Sequence, residues 1–268
     1  MTQNVGDTML HDTEPAVTIQ DLWFQYDGAR ASVLNGLTTT IRPRVVTAIL
    51  GPNGVGKTTL LNVLLGWLRP HRGELRIFGR PLATLSRRAM GQTLSLLPQE
   101  EHIPFEYSVA EYVLLGRTPY LSPLAAPSAL DREIAHNALR TVGLHDHLET
   151  PITDISGGER QLVMLARSLA QNPQILLMDE PTSHLDLANK RRLATLVRSL
   201  TSGDTTVIFT THDPEFAAVC ADELLLVCDG KLLAHGPIPE TMTAPLLSRL
   251  FGIPVTVTTV EGAPVVRW

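Results

Sequence analysis

The chain has 268 residues, 44% of them hydrophobic, with a formal net charge of −5, enough apolar material for one large core with a smaller lobe. Nothing in the acidic balance suggests the basic face that a nucleic-acid partner requires. Cys220 and Cys228 are the only cysteines and lack metal-type spacing partners, which fits buried free thiols in a reduced, cytosolic protein.

Residues 1 to about 15 are polar and read as a loose tail, without the basic start and apolar run of a secretory signal. No apolar stretch approaches the about 18 residues of a membrane helix, and even the run Leu60–Leu68 is short and broken. The chain is therefore expected to be soluble and to meet a membrane only through a partner. From Ala16 to Ile41 apolar residues alternate around the turn residues Asp27 and Gly28, predicting an antiparallel strand pair. Val45–Leu50 is continuously apolar, as a strand buried on both faces is. A Gly-rich loop follows, then a helix from about Lys57 to Leu68. Gly73–Phe78 and Leu94–Leu97 read as strands, the second ended by Pro98.

Between about residues 100 and 160 helical patterns dominate, at Val109–Leu115 and Ala129–Val142, with Pro119, Pro123 and Pro127 marking a loop. This stretch reads as a helical lobe inserted into an α/β core. After it come a helix (Gly158–Gln171), a strand (Ile175–Met178), a helix (Ala188–Leu200) and a buried strand (Val207–Thr210). Leu224–Cys228 and Leu232–Ala234 flank Asp229-Gly230, a hairpin signal. Strands alternating with helices predict a mostly parallel sheet covered on both faces. Beyond Gly236, Pro237, Pro239 and Pro245 interrupt the pattern. Val255–Val260 alternates and can pair with Val265-Val266, either as a closing hairpin or as part of a subunit contact.

Two motifs carry chemistry directly. Gly51-Pro52-Asn53-Gly54-Val55-Gly56-Lys57-Thr58 fits G-x-x-x-x-G-K-[ST] between a buried strand and a helix. Glycines let backbone N–H groups approach phosphate oxygens, and the helix N-terminus adds partial positive charge. Lys57 supplies a full charge to the β- and γ-phosphates, and the Thr58 hydroxyl can ligate Mg²⁺. The blander reading is an ordinary Gly-rich turn. The second motif is an apolar strand closed by Asp179-Glu180. Asp179 can hold Mg²⁺ and Glu180 can take a proton from an attacking water; a solvated strand end is the alternative.

Ile155-Ser156-Gly157-Gly158-Glu159-Arg160-Gln161 completes a set that resembles the ATP-binding cassette (ABC) superfamily. Its signature usually begins with Leu, so Ile155 is a conservative apolar departure. The resemblance runs from about Val17 to Ala234, and the motifs stand in the family's order. It implies an α/β fold, with a P-loop NTPase (RecA-like) core, an N-terminal antiparallel β-subdomain and an inserted α-helical subdomain. The layout is one ABC ATPase domain over 16–268, with a C-terminal extension from about 236. It also implies two copies pairing head to tail, each Ser156-Gly157-Gly158 capping the other's ATP. Ser-Gly-Gly-Glu is equally a plausible helix cap. By the same resemblance Gln99 touches Mg²⁺ and senses the transport partner, and the Ser183–Asp186 loop crosses the dimer interface through Asp186. His212 contacts the γ-phosphate, and Tyr26 stacks on adenine, with Trp23 and Phe24 as alternatives. The ATP site thus comprises Tyr26, Gly51–Thr59, Gln99 and Asp179, with Thr59 closing the loop.

The implied activity is ATP hydrolysis, with Lys57, Glu180 and His212 catalytic, at the cytoplasmic face of a cell membrane. The implied partners are a second copy, transmembrane permease subunits and, indirectly, a substrate-binding protein, with no nucleic acid. Three branches compete. Leu114-Leu115-Gly116-Arg117-Thr118-Pro119-Tyr120 is similar to stretches in importer ATPases for iron siderophores, haem and cobalamin, although a helix end at Gly116 and a loop at Pro119 also account for it. The ATPase of another importer or exporter, such as one for a metal ion, is the second branch. A translation or repair ATPase is disfavoured by a single phosphate loop, no long heptad insertion and the acidic charge. The cargo stays open, because its contacts lie in partner proteins.

Overall fold

A computed structural model describes residues 14–183, 185–260 and 262–268; most of the expected N-terminal tail lies outside them. The chain forms two compact units, one from the chain up to Leu85 together with Val197–Trp268, the other from Ser86–Leu196. In the first, β1 (Val17–Phe24) and β2 (Leu34–Ile41) pair antiparallel, as the alternation predicts. β3 (Val46–Leu50) leads to α1 (Lys57–Leu64), and β4 (Arg72–Ile77) pairs with β1 and with the short β5 (Arg80–Pro81). The buried residues of β1 switch parity, from Val17 and Ile19 to Leu22 and Phe24. A register shift at Asp21, whose φ is 47°, produces the switch and keeps both pairs on the core face. Gly73 lies against this kink; a Cβ there would sit 2.3 Å from the Asp21 carbonyl oxygen. α1 stops at Leu64, short of the expected Leu68. Gly66 turns left-handed, and the N–H groups of Trp67 and Leu68 fold back onto the Asn62 carbonyl.

The second unit opens with α2 (Arg87–Thr93), which the sequence pattern did not reveal; Ser86 caps it on the Ala89 N–H. β6 (Leu94–Leu97) follows, then α3 (Val109–Leu114), two 3₁₀ turns over residues 115–120, and α4 (Ala129–Thr141). α5 (Gly157–Ala170) precedes β7 (Ile175–Met178), which runs parallel to β6, and α6 (Leu187–Thr201) begins here. α3, α4 and α5 each start at a serine in a reciprocal capping box: Ser108 with Glu111, Ser128 with Asp131, Ser156 with Glu159. Each such cap stabilises its helix by about 1 kcal/mol. α5 is fastened to β6. The Ser168 hydroxyl donates to the Leu96 carbonyl, and the Gln171 amide bonds Ser95 and the Leu94 and Gly91 carbonyls.

The chain returns to the first unit with β8 (Thr206–Thr211), α7 (Pro214–Cys220), β9 (Glu223–Cys228) and β10 (Lys231–Pro237). β3 is flanked by β8 and β9, both parallel to it; β3 and β8 are buried throughout and β9 up to Val227. β9 and β10 form the expected hairpin, with Asp229 and Gly230 both at positive φ. α8 (Ile238–Thr241) and α9 (Ala244–Phe251) follow, then the hairpin of β11 (Thr256–Val260) and β12 (Ala263–Arg267), whose second strand lies against α7. The sequence pattern does not reveal α7, and prolines that read as interruptions hide α8 and α9. Pro214, Pro239 and Pro245 instead occupy opening helical positions, where a missing N–H costs nothing.

Candidate functional site

The first unit holds the phosphate loop. β3 delivers the chain at Gly51, where a Cβ would meet the Val227 carbonyl oxygen at 2.5 Å, so only glycine fits. Gly54 and Gly56 adopt φ of 83° and 100° and turn the loop back to α1. No side chain caps the start of α1, and a helix N-terminus of this kind suits an anion. Lys57 is buried, and its Nζ donates to the carbonyls of Gly51 (2.9 Å) and Pro52 (3.0 Å). The ammonium is thus held inside the loop. Thr58 is exposed and Thr59 buried. The hydroxyls of Tyr26 and Thr59 lie 3.1 Å apart, which brings the N-terminal aromatic to the loop. Of the three aromatics, Phe24 is buried and supports the Tyr26 ring edge-on, and Trp23 packs on Gly36. Tyr26 remains 43% exposed and is the one free to take a flat ligand face. The Gly51 N–H bonds the Thr211 carbonyl (3.3 Å), so the loop begins beside exposed His212.

The second unit holds the remaining candidates. Asp179 and Glu180 follow β7 and are each 7% exposed. The Asp179 N–H donates to the Leu97 carbonyl, placing it beside the end of β6, from which Pro98 and exposed Gln99 continue. Glu180 has φ of 44°, a left-handed conformation that non-glycine residues seldom adopt and that concentrates at working sites. Ser156 accepts from the Glu159 N–H, and its own hydroxyl donates to the Glu159 carboxylate (2.7 Å). The Ser156 hydroxyl and the Ser156 N–H, both donating to the Glu159 carboxylate, hold it below its ordinary range. A Cβ on Gly157 would meet nothing within 4 Å; on Gly158 it would meet Asn189 Nδ2 at 2.8 Å. The starts of α5 and α6 therefore adjoin, bringing Ser156–Gly158 near Asp186, which accepts from the Asn189 N–H and caps α6. His184 in the same loop lies outside the described residues. The oxygen donors of Thr58, Gln99 and Asp179 are of the hard type that suits Mg²⁺.

The Gly116–Tyr120 run has a packing role. A Cβ on Gly116 would lie 2.3 Å from the Arg167 carbonyl oxygen. Arg117 donates to the Ala170 carbonyl (2.9 Å) and to Asp131 (3.0 Å), and its guanidinium covers the Tyr120 ring at 3.9 Å. Tyr120 donates to the Gln171 carbonyl. The run therefore caps the carbonyl end of α5. Arg167, Glu101 and Tyr112 also meet here; residues so far apart in sequence carry no local signal.

A family model described as ABC transporter matches residues 34–183. The chain belongs to the ABC transporter family. A hemin import ATP-binding protein of Burkholderia ambifaria is 38% identical over 252 residues, covering 87% of this chain and 92% of that one. A probable iron chelatin transport ATP-binding protein of Helicobacter pylori is 34% identical over 239 residues, covering 88% and 93%. Among solved structures, a metal-chelate type ABC transporter in an inward-facing conformation superposes with a TM-score of 0.83 at 31% identity, covering 94% of this chain and 96% of that one. This member is an ATP-binding subunit and an ATPase that serves transmembrane permease partners. The expected fold, a P-loop core with an antiparallel β-subdomain and a helical insert, is that of the family. No helix among the described residues is long and apolar enough to cross a membrane.

Proposed function

We propose that this chain energises import of an iron chelate, haem or cobalamin, as a pair of copies sharing two ATP molecules at the cytoplasmic face of the membrane. A substrate-binding protein delivers cargo to the permease. The hemin, iron chelatin and metal-chelate relatives support the cargo class. The observation that carries the pairing is the exposed start of α5, where Gly157 fronts open space at a helix N-terminus.

In this reading Tyr26 stacks on adenine, and the amides of Gly51–Thr59 cradle the phosphates. Lys57 exchanges a carbonyl partner for β- and γ-phosphate oxygens. Thr58, Gln99 and Asp179 would hold Mg²⁺, which when bound neutralises charge on those phosphates. Ser156, Gly157 and Gly158 of the other copy close on the γ-phosphate, and Asp186 lies along the same seam. Glu180 orients or deprotonates the attacking water. The water oxygen bonds to the γ-phosphorus as the bond to the bridging oxygen breaks, leaving ADP. His212 steadies the charge that develops on the γ-phosphoryl oxygens. Hydrolysis reopens the pair, and the permease takes up the motion near Gln99.

The test is the solution mass of the Glu180→Gln chain with and without ATP and Mg²⁺. A shift from monomer to dimer, reversed by Ser156→Arg, is expected, with turnover slowed by about 10²–10⁴. Turnover at the normal rate would remove Glu180 from the role of base.

A further inference from the structure

We propose that Glu101 is a positioning residue that couples the segment carrying Gln99 to the helix opened by Ser156–Gly158. Glu101 lies two residues beyond Gln99, in the loop leaving β6. Its Oε1 accepts from Arg167 Nη1 at 2.6 Å, and its Oε2 accepts from the Tyr112 hydroxyl at 2.8 Å. The Arg167 guanidinium also lies over the Tyr112 ring, 4.8 Å from its centre. Three elements therefore meet at one carboxylate: the loop after β6, α3 through Tyr112, and α5 through Arg167. Tyr112 is fully buried, and burial pushes its hydroxyl well above the ordinary tyrosine range. It therefore stays a donor at working pH. Arg167 and Glu101 are 21% and 27% exposed, so the pair is partly withdrawn from water without the full cost of burying charge.

Two residues of extended chain reach at most about 7 Å. Gln99 therefore cannot travel far without dragging the Glu101 carboxylate or breaking its two bonds. Arg167 stands ten residues after Gly157 on one unbroken helix, a rod of roughly 15 Å. Ser168 and Gln171 bond that same end of α5 to β6 itself. The Arg167–Glu101 pair carries the fastening past Pro98 into the loop. The inference rests on the reading that Gln99 and Ser156–Gly158 face ATP. Under it, a push on the Gln99 loop re-aims the signature end of α5, and docking of Ser156 on the other copy's ATP restrains Gln99.

The experiment uses the full chain carrying Glu180→Gln, with three readouts: ATP-driven dimerisation, affinity of the monomer for a fluorescent ATP analogue, and melting temperature. Adding Glu101→Ala is expected to weaken dimerisation by about tenfold or more. Monomer affinity should stay within about twofold, because the phosphate loop is untouched. The charge exchange Glu101→Arg with Arg167→Glu should recover most of the loss. A role confined to folding would instead lower melting temperature and leave the exchange without effect. Should Glu101→Ala fold poorly, Glu101→Gln, which keeps an acceptor for Tyr112, carries the test with the same expected direction. Undiminished dimerisation, or a well-folded exchange variant that recovers nothing, overturns the proposal. Failure of the Glu180→Gln parent to dimerise is a distinct outcome that overturns the shared-ATP reading and this inference with it.

Discussion

Single residues show how packing and chemistry share one backbone. Gly51 is required both by the Val227 carbonyl behind it and by the phosphate expected in front. Glu180 takes a conformation that its side-chain type disfavours, at the position proposed for the base. The two cysteines differ in exposure. Burial pushes the Cys220 thiol up to about 12, so it holds essentially no thiolate at neutral pH. Cys228, partly exposed, is raised by burial and by Asp229 beside it. Iodoacetamide at about pH 8 should therefore alkylate Cys228 of the native chain well before Cys220. The double Ser variant should keep its ATPase rate. Labelling of Cys220 at its unfolded-chain rate would show that the thiol is not sequestered.

Among the elements, α5 has the most at stake, because its N-terminus carries Ser156–Gly158, proposed to close on the other copy's ATP, and its C-terminus is held by the Gly116–Tyr120 run. Arg117 ties that end to α4 through Asp131. The Asp131 carboxyl is lowered from 3.8 to about 2, by hydrogen bonds from the Ser128 hydroxyl and Arg117 and from the Ser128 N–H. A depressed carboxyl contributes stability that is complete above its unfolded value and is lost as pH falls through its folded value. Asp131→Asn should therefore melt below the wild-type chain at neutral pH, with the gap closing between 3.8 and about 2. A gap that stays constant through that window would mean that the carboxylate charge is not what holds α4 to Arg117. The run that marks the importer branch in the sequence thus has a packing reason to exist, independent of cargo.

For the whole molecule, the shared-ATP reading makes a prediction that no single chain can satisfy. Lys57→Ala spoils a chain's own cradle, and Ser156→Arg spoils the signature it lends to its partner. Each alone should be inactive. Mixed in equal amounts, about half of the pairs combine the two variants, and each such pair keeps one intact site of two. Recovery of up to about a quarter of the wild-type ATPase rate is expected. Mixed pairs that form with ATP but hydrolyse none would argue against sites built from both copies.

The sequence by itself determined the motifs proposed as phosphate loop, acidic pair and signature, and the order of the main strands. Each of these is written in contiguous residues: glycines at fixed spacing, a wholly apolar strand, a serine three residues before an acid. It also determined that Asp229-Gly230 turns a hairpin, because both positions need positive φ. Only the tertiary structure decided which aromatic is left exposed beside Thr59, and that the prolines at 239 and 245 open helices instead of interrupting the pattern. It alone shows that Glu101, Tyr112 and Arg167 converge on one carboxylate. Such facts depend on what long-range packing places against a residue, and a local pattern of residue types does not encode that.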